Sequence, residues 1–227
     1  MKQFRYKVII PARGRSKGLP RKNILPINGK ALICYTIDAA RGMFEDSDIL
    51  VSTDADEIKE VVEAYGLPVP GLRPPHLACD NTPTVDVLLD FLSKKSEDIP
   101  DFLILLQPTS PLRSTAHIRE AIGLIHKEVD MVVSCTKSDA NPYWNLFEEN
   151  PEGYLIKSKK GNFARRQDVP PVYLYNGAIY IINTKSLLIN KSLQFEKVVK
   201  YVMDKESSLD IDDLFDFKLA EYLINKI

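Results

Sequence analysis

Within "VIIPARGRSKGLPRKN", Val8 to Asn23, five cations fall in ten residues: Arg13, Arg15, Lys17, Arg21 and Lys22. An apolar run precedes them, Gly14 and Gly18 loosen the segment, and Pro11 and Pro20 stiffen its ends. A glycine-bearing cationic loop after a strand suits polyphosphate: glycines let backbone N–H groups approach, and Arg and Lys neutralise the charge. A solvated basic surface loop has the same composition, so both readings stand at this point. GxxxxGK[ST] and GxGxxG are both absent, which excludes a P-loop and a dinucleotide fingerprint.

Far along the chain, "LDIDD" offers the complementary chemistry. Asp210 and Asp212 are one residue apart, so in extended backbone their carboxylates face the same side. Two hard oxygen ligands suit magnesium (Mg²⁺), with phosphate oxygens and waters completing its octahedron. The competing reading is an acidic cap for the last helix, "DLFDFKLAEYLINK", a role expected of Asp213.

Elements that alternate in type must position these groups. "KVII" (Lys7 to Ile10), "DILVS" (Asp48 to Ser52), "FLILL" (Phe102 to Leu106) and "MVVSC" (Met131 to Cys135) are short and nearly uniformly apolar, as strands covered on both faces are. Between them, Val85, Leu88, Leu89 and Leu92 recur at helical spacing. "STDADEIKEVVEAYG" reads as a strand end, a Thr53 cap, acidic residues in the first helical turn and a Gly66 stop. "RSTAHIREAIGLIHK" predicts a second capped helix. This alternation predicts an α/β fold with a doubly wound, mostly parallel sheet, whose ligands sit at the carboxyl ends of the strands.

One segment breaks the rhythm. From Thr136 to Tyr173 the chain is polar, rich in proline and aromatics, and lacks a clean period. Tyr143, Trp144, Phe147, Tyr154 and Phe163 would leave apolar surface exposed, so an arm or β insertion reaching a partner subunit is expected here. No repeat or linker divides the 227 residues, and a single domain is expected.

A formal net charge of −1 leaves no basic excess for coating nucleic acid, so no nucleic-acid partner is expected. Cys34, Cys79 and Cys135 lie far apart with no CxxC pair, the pattern of reduced thiols. No apolar stretch approaches the ~18 residues of a membrane span, and the start "MKQFRYKVII" is too short in apolar length for a signal peptide. The expectation is a cytoplasmic protein with no membrane partner.

The opening segment, "IIPARGRSKGLPRKN", resembles the signature of the acylneuraminate cytidylyltransferases, which activate sialic-acid-type sugars as CMP conjugates. The resemblance continues in order through "VSTDADEI", "RPPHLACDNT", "LQPTSPLR", "YNGAIYI" and "LDIDDLFDFKLAE". It covers nearly the whole chain and implies a Rossmann-like fold with a dimerisation arm near residues 136–173. The implied reaction is attack of a sugar hydroxyl on the α-phosphate of CTP with loss of pyrophosphate, which needs positioning, charge neutralisation and a metal.

By this resemblance Arg13 and Lys22 contact phosphate, and Ala12, Gly14, Ser16 and Asn23 complete that wall of the nucleotide site. Arg73 contacts the pyrimidine and Thr82 adds a hydrogen bond, whereas His76 is expected to be a surface residue. Gln107, Asn176 and Tyr180 belong to the sugar site, Tyr180 with plain packing as its alternative. Arg113 is open between a structural and a site role. Asp210 and Asp212 hold Mg²⁺, and a homodimer is implied.

Where many members carry an HPxK-like segment, this chain reads "NPYWNLF", Asn141 to Phe147. It keeps Arg166, Gln167 and Pro170 of the family's Arg-Gln-x-x-Pro, so a cation for the sugar carboxylate is expected from Arg165 or Arg166. The nonulosonic acid therefore stays open among N-acetylneuraminate, legionaminate, pseudaminate and their relatives, and another base than cytosine is a further alternative. The remaining alternatives are activation of the eight-carbon sugar Kdo, a metal-dependent glycosyltransferase with its DxD displaced to the C-terminus, and a non-catalytic nucleotide-binding module.

Overall fold

Four apolar runs free of internal glycine or proline alternate with amphipathic stretches, and a sheet flanked by helices lets both bury their apolar faces. In the computed structural model, which describes residues 4–16, 18–79, 81–94 and 98–226, that is the arrangement. Lys17, one of the five loop cations, lies outside the described residues.

The chain begins with β1 (Tyr6–Ala12), a hairpin of β2 (Pro26–Ile27) and β3 (Lys30–Ala31), and α1 (Leu32–Arg41). β4 (Ile49–Thr53), α2 (Asp56–Ala64), α3 (Thr84–Ser93), β5 (Phe102–Leu105), α4 (Thr115–Ile122) and β6 (Met131–Lys137) follow. The arm carries β7 (Phe147–Glu149) and β8 (Leu155–Lys157). The chain closes with β9 (Tyr173–Asn183), α5 (Thr184–Asn190), β10 (Val198–Val202) and α6 (Leu214–Ile224).

Six strands form one sheet in the order β10-β6-β9-β5-β1-β4. β1 pairs in parallel with β4 and β5, and β10 with β6, while β9 runs antiparallel between β5 and β6. The sheet is mostly parallel, as expected. The chain moves outward from β1 to β4 and then crosses back to β5, so the order reverses between β1 and β5. Their carboxyl ends therefore frame the crevice where α/β sheets bind ligands. β5 is buried at all four positions, and Val8, Ile10, Val51, Ile104, Val132 and Ile181 share one core cluster with α1 and α2.

Three local readings shift. Thr53 ends β4 rather than capping α2; its buried hydroxyl accepts from the Ala55 N–H at 3.2 Å, and Ala55 precedes the helix. The buried face of α3 centres on Val87, Leu88, Phe91 and Leu92, with Val85 and Leu89 at its margin. α4 stops at Gly123 instead of continuing toward Lys127, although its Ser114–His117 capping box forms. Gly66, in the left-handed region at φ +85°, follows α2 as expected.

Candidate active site

The β1–β5 crevice holds a cleft of about 640 Å³. Arg13, Ser16, Lys22, Asn23, Arg73, Thr82, Gln107, Asp210 and Asp212 line it, drawn from four separated segments.

The cationic loop splits by direction. Arg13 and Lys22 face the cleft, Arg21 turns away to pair with Glu57 at 2.9 Å, and Arg15 is exposed. Buried Asn23 donates from Nδ2 to the Arg13 carbonyl at 3.0 Å, closing the loop upon itself. Gly14 donates its N–H to Asp54 Oδ1 at 2.9 Å, and a Cβ there would lie 2.6 Å from the Ala55 Cβ. A Cβ at Gly18 would come closer still, 2.3 Å from the Asp212 carbonyl oxygen. These two glycines are where a side chain would push the loop off its neighbours. Ala12 is fully buried in the core at the end of β1, so it reaches a ligand only through its backbone.

On the next wall, the Arg73 N–H bonds to the Thr53 carbonyl, and its guanidinium is fixed on Ser52 through both Oγ and the carbonyl. Burial lowers the Arg73 pKa, with Asp54 opposing the shift and Arg13 adding to it. The Thr82 hydroxyl donates to the His76 carbonyl at 3.2 Å, and His76 is exposed.

The opposite wall is the aspartate loop. Ile211 is fully buried, and its N–H bonds to the Thr109 carbonyl at 2.9 Å, so Asp210 and Asp212 flank it. Asp213 caps α6 by accepting from Phe215 and Asp216 N–H groups, as expected. Burial raises the Asp210 pKa; a Thr109 hydrogen bond opposes this, the Asp212 charge adds to it, Lys22 opposes it and Asp216 adds to it. Asp210 Oδ1 is buried with no hydrogen-bond partner, an arrangement that costs free energy unless a cation meets it. The Lys22 ammonium contacts the Ile211 carbonyl and lies 3.3 Å from Asp212 Oδ1. Among the described residues, no group of three or more His, Cys, Asp or Glu side chains could hold a metal alone. Two carboxylates, one with an orphaned oxygen, nevertheless fit Mg²⁺ that keeps waters and takes phosphate oxygens.

Gln107 lies two residues past the end of β5, and its amide lies against Gly177: a Cβ at Gly177 would sit 2.3 Å from Gln107 Oε1 and 3.5 Å from Asp210 Oδ2. Gly177, at φ +73°, stands where the β6–β9 register slips. Such bulges re-aim side chains at strand ends. Asn176 does not line the cleft. It is buried, accepts from the Ser134 hydroxyl at 2.6 Å and donates to Ser208 Oγ at 2.9 Å, pinning the bulge to the aspartate loop. Tyr180 is also outside the lining; burial raises its pKa, and Asp210 adds to this.

Arg166 and Gln167 lie on the arm, exposed and away from the cleft walls of this chain, with Arg166 bonded to Asp139 at 3.0 Å. The lining also includes Thr109 and Cys79, which no sequence reasoning had marked. The "QPTS" turn after a buried strand was the available signal for Thr109; nothing distinguished Cys79.

Fold and cleft together define a nucleotidyltransferase-type α/β protein. Residues 7–225 match the cytidylyltransferase family, and the chain belongs to that family. It is 44% identical over 216 residues to an N-acylneuraminate cytidylyltransferase of Streptococcus agalactiae serotype V, covering 92% of this chain and 51% of that protein. The chain thus spans about half the length of these streptococcal relatives. It is 37% identical to a CMP-N,N'-diacetyllegionaminic acid synthase of Campylobacter jejuni over 220 residues, covering 95% and 93% of the two chains. The solved structure of a CMP:2-keto-3-deoxy-manno-octonic acid synthetase complexed with CTP superposes with a TM-score of 0.72 at 17% identity, covering 98% and 99%. At that identity the likeness shows the fold.

Proposed function

We propose that this protein is a cytidylyltransferase that joins CTP to a sialic-acid-type nonulosonic acid, giving the CMP-sugar and pyrophosphate. The observation that carries the reading is the cleft at the β1–β5 crevice, which faces Arg13 and Lys22 with Asp210 and Asp212. The family membership supports the same chemistry.

Arg13 and Lys22 neutralise the triphosphate and the departing pyrophosphate, where charge grows as the α-phosphate is attacked. Arg73, held rigid by Ser52, and Thr82 take the base; Gln107 takes the sugar. Asp210 and Asp212 would hold Mg²⁺, which when bound polarises the α-phosphate and eases ionisation of a neighbouring hydroxyl. Lys22 then exchanges its hold on Asp212 for a phosphate oxygen.

The arm's exposed apolar face supports a homodimer in which Arg166 and Gln167 reach the sugar carboxylate of the opposite subunit. CTP supply and unpaired cysteines favour a cytoplasmic location, and the chain works as one nucleotidyltransferase unit that includes the arm. Among the described residues, no helix is long and apolar enough to cross a membrane.

The test is pyrophosphate release with Mg²⁺, crossing CTP, GTP, ATP and UTP against N-acetylneuraminate, legionaminate, pseudaminate and Kdo. Release with CTP and a nine-carbon acid is expected. Release with Kdo alone, or with another nucleotide alone, would replace the substrate, and silence across the panel from folded protein would overturn the reading.

A further inference from the structure

Arg113 is 2% exposed and has no carboxylate among its hydrogen-bond partners. Its acceptors are neutral: Nη1 donates to the carbonyls of Gln107 and Ala178, both at 3.0 Å, and Nη2 donates to Thr36 Oγ1 at 2.5 Å. Nε is left without a partner. Burying a cation away from any anion is costly, and burial alone lowers its pKa to about 9, so it remains charged at neutral pH. A side chain kept at that cost is doing something that an apolar residue cannot.

The three acceptors show what. The β5–β9 ladder ends at Leu105 opposite Tyr180, and beyond it the strands separate around the bulge at Asn176–Gly177. The Gln107 and Ala178 carbonyls lie just past that end; Arg113 gives each a bond at 3.0 Å, and the Gln107 carbonyl also accepts longer ones from the Thr36 hydroxyl at 3.4 Å and the Ser110 N–H at 3.5 Å. A planar guanidinium spans both and reaches helix α1 through Thr36, which a flexible ammonium with a single point of charge cannot copy. The residues held are those on either side of the contact between the Gln107 amide and Gly177, beside Asp210 Oδ2. No part of Arg113 lines the cleft itself.

We infer that Arg113 is a positioning residue for the sugar half of the cleft, fixing the main chain on both sides of the Gln107–Gly177 contact so that the Gln107 amide faces the acceptor. This rests on the proposed reaction. The nucleotide half, around Arg13 and Arg73, is anchored independently through Asn23 and Ser52.

The experiment measures KM for each substrate and kcat in wild type, Arg113→Lys, Arg113→Met, Gln107→Ala and Arg113→Lys/Gln107→Ala. For Arg113→Lys, the sugar-acid KM is expected to rise about 10-fold while the CTP KM stays within about twofold, with Arg113→Met worse than Lys. Because Arg113 acts through Gln107, the double variant is expected to match Gln107→Ala alone within about twofold in sugar KM. Equal rises for both substrates, or losses that multiply in the double variant, would overturn the inference. Should the Arg113 variants fail to fold, Thr36→Val removes the Arg113 contact together with the Thr36 bond to the Gln107 carbonyl, and an about threefold sugar-selective rise is expected; an unchanged ratio would overturn it too. Wild-type silence toward every sugar acid would instead defeat the proposed reaction, so the two failures are distinct.

Discussion

The cleft and the arm are built by opposite means. Every wall of the cleft is tied to a strand or to the loop that follows one: Asn23 to Arg13, Arg73 to β4, Ile211 to Thr109, Gln107 to Arg113. The arm holds itself. Its hairpin pairs only β7 with β8, and all six strand residues are exposed. Tyr143 meets Phe163 edge-on at 5.5 Å, Lys157 lies over Trp144, and Asn141 bonds to the Pro170 carbonyl at 2.9 Å. Phe147, Tyr154, Leu155 and Ile156 remain uncovered, Tyr154 at 70% exposure. A site assembled from strand ends is rigid before any ligand arrives, whereas a projecting hairpin with an apolar face completes its burial only against another surface.

The strongest challenge to this contrast is Asp210→Ala. It removes the carboxylate with the orphaned oxygen without touching the arm, and pyrophosphate release is expected to fall by about 10³-fold, with the proposed dimer unchanged by sedimentation. Full activity with unchanged Mg²⁺ dependence would remove Asp210 from the chemistry. The converse variant, Tyr154→Asp with Leu155→Asp, places charge on the arm's apolar face. The proposed dimer is expected to weaken by at least about 10-fold in Kd, with a melting temperature within about 3 °C of wild type at equal oligomeric state. If the pair melts the sheet instead, the arm is part of the core and the contrast fails.

The smallest effect separates the cleft from the interior. Burial raises the Cys34 thiol to about 11, with Asp38 adding to the shift. A raised thiol pKa leaves less thiolate: at pH 8 about one part in a thousand. Cys79 is exposed on the cleft wall. A thiol reagent at pH 8 is therefore expected to label Cys79 first, CTP to slow that labelling, and Cys34 to react only as pH climbs toward 11. CTP protection that persists in the arm variant would show that nucleotide binding needs no partner subunit; its loss would join the two regions.

Much of the cleft was legible because its residues sit where a buried strand ends. "KVII", "DILVS" and "FLILL" mark β1, β4 and β5, and the polar residues that follow, Arg13, Arg73 by its bond to β4, and Gln107, inherit their position from the ladder. Asn176 is placed at the sugar by the resemblance alone. Its burial follows from a bulge opposite Ser134, and a register slip leaves no periodic trace in one chain. Arg113 was ambiguous for a related reason: a buried arginine bonded to carbonyls has no acidic partner to betray it in sequence. Of the arm's aromatics, Phe147 and Tyr154 are exposed as expected, whereas Tyr143, Trp144 and Phe163 are half-buried, a packing that spacing alone does not reveal.

The antiparallel strand in the middle of the sheet also governs the order in which the protein can be made. β5 takes its second neighbour from Tyr173–Asn183, and β6 lies on the far side of that strand. During synthesis β4, β1 and β5 can assemble while one flank of β5 stays open, and the whole arm must emerge before β9 arrives to seal it. An unpaired, fully apolar strand flank is a template for association with other chains. Translation of residues 138–172, between β6 and β9, is therefore the interval through which that flank waits for its partner, and slow codons placed there would prolong the exposure.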